Sequence, residues 1–230
     1  MAEIEITGPD GAFGAYVATP ASGTGPGVIV IQEVFGVNKF LRETSDWLAE
    51  EGFVAIAPDL FWRFEPGLQL DPAVQADFEK ALDLFGKYDQ EKGMGDLAAT
   101  LAHARGMAET TGKIGCIGYC LGGRLAYMMA ARTDIDASVG YYGVGLDQLL
   151  DEKDKIGRPL MLHIAEEDGF VPKDEQERVH AGLDSHPQAT LFDYAGADHG
   201  FARPGGHGYS EAAATQANGR TLDFLRRTLA

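Results

Sequence analysis

Short apolar runs rich in β-branched residues alternate with longer stretches of helical period along most of the chain. That alternation is the pattern of βα units packed around a largely parallel sheet. Two early extended segments, 3–7 and 13–19, flank Gly8-Pro9-Asp10-Gly11, a turn cluster suited to a hairpin. The run GVIVIQ (27–32) reads as a buried strand, and a helix over about 38–51 follows, with Leu41, Trp47 and Leu48 on its apolar face and Gly52 closing it. The next strand, 53–57, is stopped by Pro58. Helices are expected over 71–87, with Pro72 in the first turn, and over 94–109, beginning near Gly95 and Asp96. Strand 113–118, helix 121–132, strands 137–142 and 159–165, helix 173–183, strand 189–194 and a final helix over about 210–228 complete the chain. No internal repeat or linker breaks the series, so one α/β domain over residues 1–230 is expected.

Composition narrows the function classes. The 230 residues are 45% hydrophobic and 23% charged, enough for an ordinary core without disulfides or a structural metal. Thirty glycines without a period exclude collagen-like sequence and imply many tight turns. Thirty-five acidic against 19 basic residues give a net charge of −16, which disfavours nucleic acid and anionic membrane surfaces as partners. The N-terminus carries Glu3 and Glu5 instead of basic residues, and no long uncharged apolar stretch follows, so a soluble, cytoplasmic and monomeric protein is expected. An extended run from Cys116 to Cys120 holds the two cysteines too far apart for a disulfide, and both thiols should be free.

The candidate chemistry centres on KIGCIGYCLGGRLAY (113–127), where a buried strand runs through Gly118-Tyr119-Cys120-Leu121-Gly122 directly into a helix. This is the G-x-C-x-G form of a nucleophile elbow, whose glycines let the chain turn sharply and expose the nucleophile at the C-terminal edge of the sheet. Helix N-terminal N–H groups favour a thiolate there, and the Leu121 N–H is one natural oxyanion donor. Taken alone, Cys120 is equally well a small residue in a tight turn. An elbow hydrolase also needs an acid and then a histidine, in that order. Asp168 follows the 159–165 strand in Glu166-Glu167-Asp168-Gly169-Phe170-Val171-Pro172, and His199 follows the 189–194 strand in a glycine-rich loop. All three fall at one sheet edge, where open α/β folds bind ligands. The bland alternatives, a solvated turn acid and a loop histidine, are each respectable separately but not jointly and in order. His163, inside a strand, reads as a packed or hydrogen-bonded core residue, and neither HxxxH, HExxH nor CxxC occurs to suggest a metal or cofactor.

These residues resemble the dienelactone hydrolases (carboxymethylenebutenolidases) of the α/β-hydrolase superfamily. The likeness rests on Gln32-Glu33-Val34-Phe35-Gly36-Val37-Asn38, Ala57-Pro58-Asp59-Leu60-Phe61, Gly93-Met94-Gly95-Asp96, the GYCLGG elbow, the D-x-x-V-P run and Asp198-His199-Gly200-Phe201. It implies a three-layer α/β-hydrolase fold, with helices on both faces of a mostly parallel sheet. It also implies Cys120 as nucleophile, His199 as base, Asp168 as its orienter, and Glu33 as an acid contacting the resting thiol. Val34 supplies a second oxyanion donor beside Leu121. Arg203, Phe35, Phe78 and Tyr119 are the implied substrate contacts; apart from the resemblance, Arg63 and Arg124 are weaker candidates for an anion anchor. The family's second carboxylate-binding arginine is absent: the stretch after Asp71-Pro72 reads Ala73-Val74-Gln75-Ala76-Asp77-Phe78-Glu79-Lys80, with Phe78 in the matching place.

The expected reaction is acyl transfer through a thioester, on a small ester or lactone and with no cofactor. A thiolate is itself a good leaving group, so the substrate must offer one at least as good, such as an enolate or phenolate. A carboxylate at Glu33 would favour the protonated, less oxidisable thiol until substrate displaces it. A broader esterase or thioesterase with the same triad, or a non-catalytic redox-sensing relative, are the other readings of the same residues.

Overall fold

The structure, a computed structural model, describes residues 1–230, which divide into two compact units, Met1–Gly115 and Cys116–Ala230. In the first, β1 (Ala2–Thr7) and β2 (Ala12–Ala18) form the expected antiparallel hairpin in the register Ala2↔Val17 to Thr7↔Ala12. The Gly8 N–H closes its turn on the Gly11 carbonyl at 2.9 Å. β2 then pairs antiparallel with β4 (Val54–Pro58), and β4 pairs parallel with β3 (Gly25–Ile31). Val28 to Ile31 and Val54 to Ala57 are wholly buried, which is why these strands read as unbroken apolar runs and not as alternating ones.

Helix α1 (Lys39–Glu50) connects β3 to β4. Its start is set by Asn38, whose side-chain oxygen accepts the Leu41 N–H at 3.3 Å while its amide donates to the Leu70 carbonyl at 3.1 Å. Leu41 and Leu48 are buried as expected, and Trp47 only partly.

Two helix starts differ from expectation. Helix α2 covers Gln75–Lys87, because residues 71–74 close on themselves: Asp71 Oδ1 accepts the Ala73 N–H at 2.9 Å and its carbonyl accepts that of Val74 at 3.0 Å. Pro72 therefore lies in a turn before the helix. Helix α3 spans Gln90–Gly106, one turn earlier than Gly95 suggests, because Asp89 caps it by accepting the N–H groups of Glu91 and Lys92. Asp96 is thus an interior helix residue, fully buried, and its carboxylate takes Arg63 through both oxygens at 2.5 and 3.0 Å and the Trp62 indole N–H at 3.0 Å. Arg63 also pairs with Asp10 at 2.9 Å, which makes it a structural arginine instead of an anion anchor.

Strand β5 (Thr110–Tyr119) carries the chain into the second unit. Helix α4 (Leu121–Arg132) buries ten of its twelve residues, so its sequence is apolar around nearly the whole circumference. Strands β6 (Ala137–Tyr141), β7 (Leu160–Ala165) and β8 (Ala189–Tyr194) are parallel in the registers Tyr141↔His163 and Ala165↔Tyr194. Helices α5 (Lys173–Leu183) and α6 (Glu211–Leu229) match their expected ranges closely. An unexpected 3-10 helix, Leu146–Lys155, starts at Gly145, buries Leu146 and Leu149, and ties to α4 through Arg132 and Glu152 at 2.6 Å. Strand order is β1-β2-β4-β3-β5-β6-β7-β8, an open sheet parallel except at the hairpin edge. No helix is long and apolar enough to cross a membrane.

Candidate active site

Cys120 sits between β5 and α4 with φ 55° and ψ −114°, and only Tyr142, at φ 37°, shares a positive φ among the non-glycine residues. Such backbone costs about 1–3 kcal/mol per residue and persists only where its surroundings over-determine it. They do so here. The Cys120 N–H donates to the Tyr141 carbonyl at 3.0 Å, and the Cys120 carbonyl accepts the Arg124 N–H at 3.1 Å, opening α4. A side chain at Gly118 would begin 2.0 Å from the Gly122 carbonyl oxygen, so the two arms of the turn close against each other only because position 118 is glycine. The Cys120 side chain stays partly exposed at the N-terminus of α4, with the Leu121 N–H in the first turn.

Asp168 follows β7 and is nearly excluded from solvent. Its Oδ1 accepts the N–H groups of Phe170 and Val171 at 2.8 and 3.2 Å. Both carboxylate oxygens face His199 Nδ1, at 3.0 and 2.9 Å. The His199 loop is tied to the Asp168 loop by Asp198, whose Oδ1 accepts the His199 N–H at 2.6 Å and the Gly169 N–H at 3.0 Å. The imidazole hydrogen-bonds Cys120 as well. Burial of the ring works against its charged form, but the charge of Cys120 and the Asp168 carboxylate outweigh it and push the imidazole up to about 10. The result is an ordered series of sulfur, imidazole and carboxylate.

Aromatic rings confine that imidazole. Tyr142 meets it edge-on at 4.9 Å and Phe170 at 4.8 Å, while Phe201 packs behind Tyr142 at 5.4 Å. Tyr119, an expected substrate contact, is instead 2% exposed and tilted against the Tyr141 ring at 4.7 Å, where it serves as packing beneath the elbow. Arg203 lies in the His199 loop, half-buried, its N–H bonded to the Gly200 carbonyl at 2.9 Å. Arg124 spends its guanidinium on the Val144 and Gly145 carbonyls. His163 is the core residue its strand position suggested: Nδ1 bonds Tyr194 at 2.8 Å, Nε2 bonds Thr221 at 2.9 Å, and burial together with Arg220 pushes it down to about 3. Cys116 is fully buried beside Ser138, and burial pushes its thiol up to about 12. No cluster of three or more His, Cys, Asp or Glu side chains is arranged to hold a metal ion.

In the first unit, Glu33, Val34 and Phe35 are buried in the segment after β3. That segment is laced to residues 68–70: the Phe35 carbonyl accepts the Leu70 N–H at 2.9 Å, and Gly36 at φ 72° brings its backbone against Leu68, where a side chain would begin 2.0 Å from the Leu68 oxygen. Phe35 and Phe78 are in ring contact at 6.2 Å.

The family model for the dienelactone hydrolases matches residues 13–229. The chain belongs to the dienelactone hydrolase family. It is 42% identical to the carboxymethylenebutenolidase of Pseudomonas putida over 96% of this chain and 94% of that one. Identity to carboxymethylenebutenolidase 1 of Cupriavidus pinatubonensis is 39%, over 96% and 95%. Among solved structures, a Klebsiella pneumoniae protein provisionally described as a dienelactone hydrolase superposes with a TM-score of 0.82 at 28% identity, covering 98% of both chains. The fold is that of the α/β-hydrolases, and the chain is a dienelactone hydrolase-like enzyme acting on an ester or lactone.

Sequence reasoning did not single out Tyr142, Asp198 or Phe170. Asp198 stood in a quoted motif and an acid beside the base was a usable signal, but Tyr142 and Phe170 act through ring packing that no spacing announces.

Proposed function

We propose that this dienelactone hydrolase family member hydrolyses small lactones or activated esters through a thioester on Cys120. The observation that carries the reading is the hydrogen-bonded series Cys120, His199, Asp168, with Nδ1 at 2.9 Å from Asp168 Oδ2 and the ring hydrogen-bonded to the sulfur. The Cys120 thiolate attacks the carbonyl carbon, and the oxyanion rests on the Leu121 N–H and, by its place in the family motif, on that of Val34. The carbon–oxygen bond breaks as the imidazolium gives its proton to the leaving oxygen. Neutral His199 then takes a proton from water, whose oxygen attacks the thioester, and the acid departs as the thiolate–imidazolium pair is restored. Glu33 is proposed as the acid that quiets the resting thiol, Arg203 as the anchor for a substrate anion, and Phe35 and Phe78 as substrate contacts. The unbroken match over residues 13–229 supports treating 1–230 as one catalytic domain.

The carboxymethylenebutenolidase relatives point to dienelactone as the substrate to try first. The Phe35–Phe78 contact, where the family places a cation, favours a second reading, a broader carboxylesterase preferring neutral esters. Rates on cis-dienelactone and on neutral p-nitrophenyl esters, wild type against Cys120→Ala, decide both points. Loss of both activities in the variant, with an acyl adduct trapped on Cys120 by mass spectrometry, is expected. Hydrolysis that survives Cys120→Ala refutes the thioester mechanism.

A further inference from the structure

Phe170 leaves 56% of its surface in water while its ring stands edge-on to His199 at 4.8 Å, the planes at 63°. Ligand sites are lined by apolar and aromatic side chains around a few polar groups, and an open ring in contact with the imidazole is placed to touch what binds there. The position is built, since the Phe170 N–H donates to Asp168 Oδ1 at 2.8 Å, so the carboxylate that orients His199 also fixes the backbone carrying the ring. Tyr142 makes a second edge contact with the imidazole at 4.9 Å but is 2% exposed. Of the two rings in edge contact with the imidazole, one is therefore sealed into the core and one is open.

The chemistry says which part of a substrate meets the open ring. In acyl transfer the imidazolium hands its proton to the departing oxygen, so the group attached to that oxygen lies next to His199 while the acyl group stays on the sulfur. We propose that Phe170 is a specificity-determining residue that receives the leaving group, selecting esters whose leaving group is planar and apolar, an aryl or enol oxygen. This inference rests on the hydrolase reading above. It accords with the demand of a thiolate nucleophile for a stabilised leaving oxygen, because enolates and phenolates are the flat, conjugated members of that class.

Phenyl acetate and trifluoroethyl acetate transfer the same acyl group and carry activated leaving oxygens, but only the first carries a ring. For Phe170→Ala the ratio of kcat/KM on phenyl acetate to that on trifluoroethyl acetate should fall about tenfold, the worth of one aromatic contact, and by roughly threefold for Phe170→Leu, which keeps bulk without the ring. The pH profile of kcat/KM should stay in place, since His199 keeps its bonds to Asp168 and Cys120. A ratio that moves by less than about twofold overturns the assignment. So does a parallel loss on both esters with a displaced pH profile, which would make Phe170 a positioning residue for His199. Wild-type protein that hydrolyses neither ester overturns the hydrolase reading itself, whereas normal turnover of both with an unchanged ratio in the variants overturns only the role of Phe170.

Discussion

Replacing Asp168 by Asn exchanges one acceptor oxygen for an amide donor without changing the side chain's size. The two backbone N–H groups of Phe170 and Val171 both bind Oδ1, at 2.8 and 3.2 Å, so they hold the amide oxygen at that position. The NH2 group then falls where Oδ2 stood, 2.9 Å from His199 Nδ1, and two donors face each other. His199 can relieve this only by moving its proton to the other nitrogen, the one that must accept the thiol proton. The lost charge-assisted bond is worth about 1.5–3 kcal/mol. Adding the wrong tautomer, kcat/KM on an activated ester should fall by about a thousandfold or more. The imidazole should also titrate well below about 10, because one of the two negative groups that raise it is gone. Stopped-flow acylation, NMR titration of the His199 ring and urea unfolding read these effects separately. Stability should drop less in Asp168→Asn than in Asp168→Ala, which orphans two backbone donors at about 1–3 kcal/mol each. An Asn variant that keeps kcat/KM within about threefold of wild type, or whose His199 titrates unchanged, would refute the assignment of Asp168 as orienter.

Gly118→Ala should lower stability by about 1–3 kcal/mol or more, because its Cβ meets a backbone oxygen at 2.0 Å and not a movable side-chain tip. The turn must open to make room, so acylation by Cys120 should slow as well; thermal unfolding and single-turnover kinetics check the pair, and wild-type values in both would contradict the elbow geometry. His163 is held neutral by burial and by Arg220, with its folded value near 3 against 6.5. Its contribution to stability is complete above pH 6.5 and is lost as pH falls through that interval, at up to about 1.4 kcal/mol per pH unit. Urea midpoints of wild type and His163→Gln across this range should therefore converge toward low pH, and parallel profiles would exclude the effect.

Most elements were readable because their signals were local. GVIVIQ reads as a strand because its apolar run is short, β-branched and opened by glycine, and the Asn38 and Ser210 caps fall where the helical period begins. Cys120, Asp168 and His199 were legible because each occupies the turn after a strand, and parallel strands bring such turns to one edge. Where local signals competed, tertiary structure decided. The sequence places the start of α3 near Gly95 and Asp96, but Asp89 caps the helix ahead of them, and the Tyr88 hydroxyl fills the space a side chain at Gly93 would need. The left-handed backbone of Tyr142 had no sequence mark, since a tyrosine there adopts it only because its N–H reaches the His163 carbonyl at 2.8 Å and its ring is trapped between His199 and Phe201. Arg63 looked available until the fold delivered Asp96 to it from a distant helix.

Just beyond the strand ends, backbone bonds pass from each strand to its neighbour: Cys120 N–H to Tyr141, Tyr142 N–H to His163, Glu166 N–H to Tyr194. The starts of the turns that carry Cys120 and Asp168 are thereby referred to the pitch of the sheet. For anyone redirecting this enzyme to a new ester, the exposed side chain of Phe170 is the ground to vary, and the three strand-end bonds, with the loop bonds to Asp168 and Asp198, are what must be left alone.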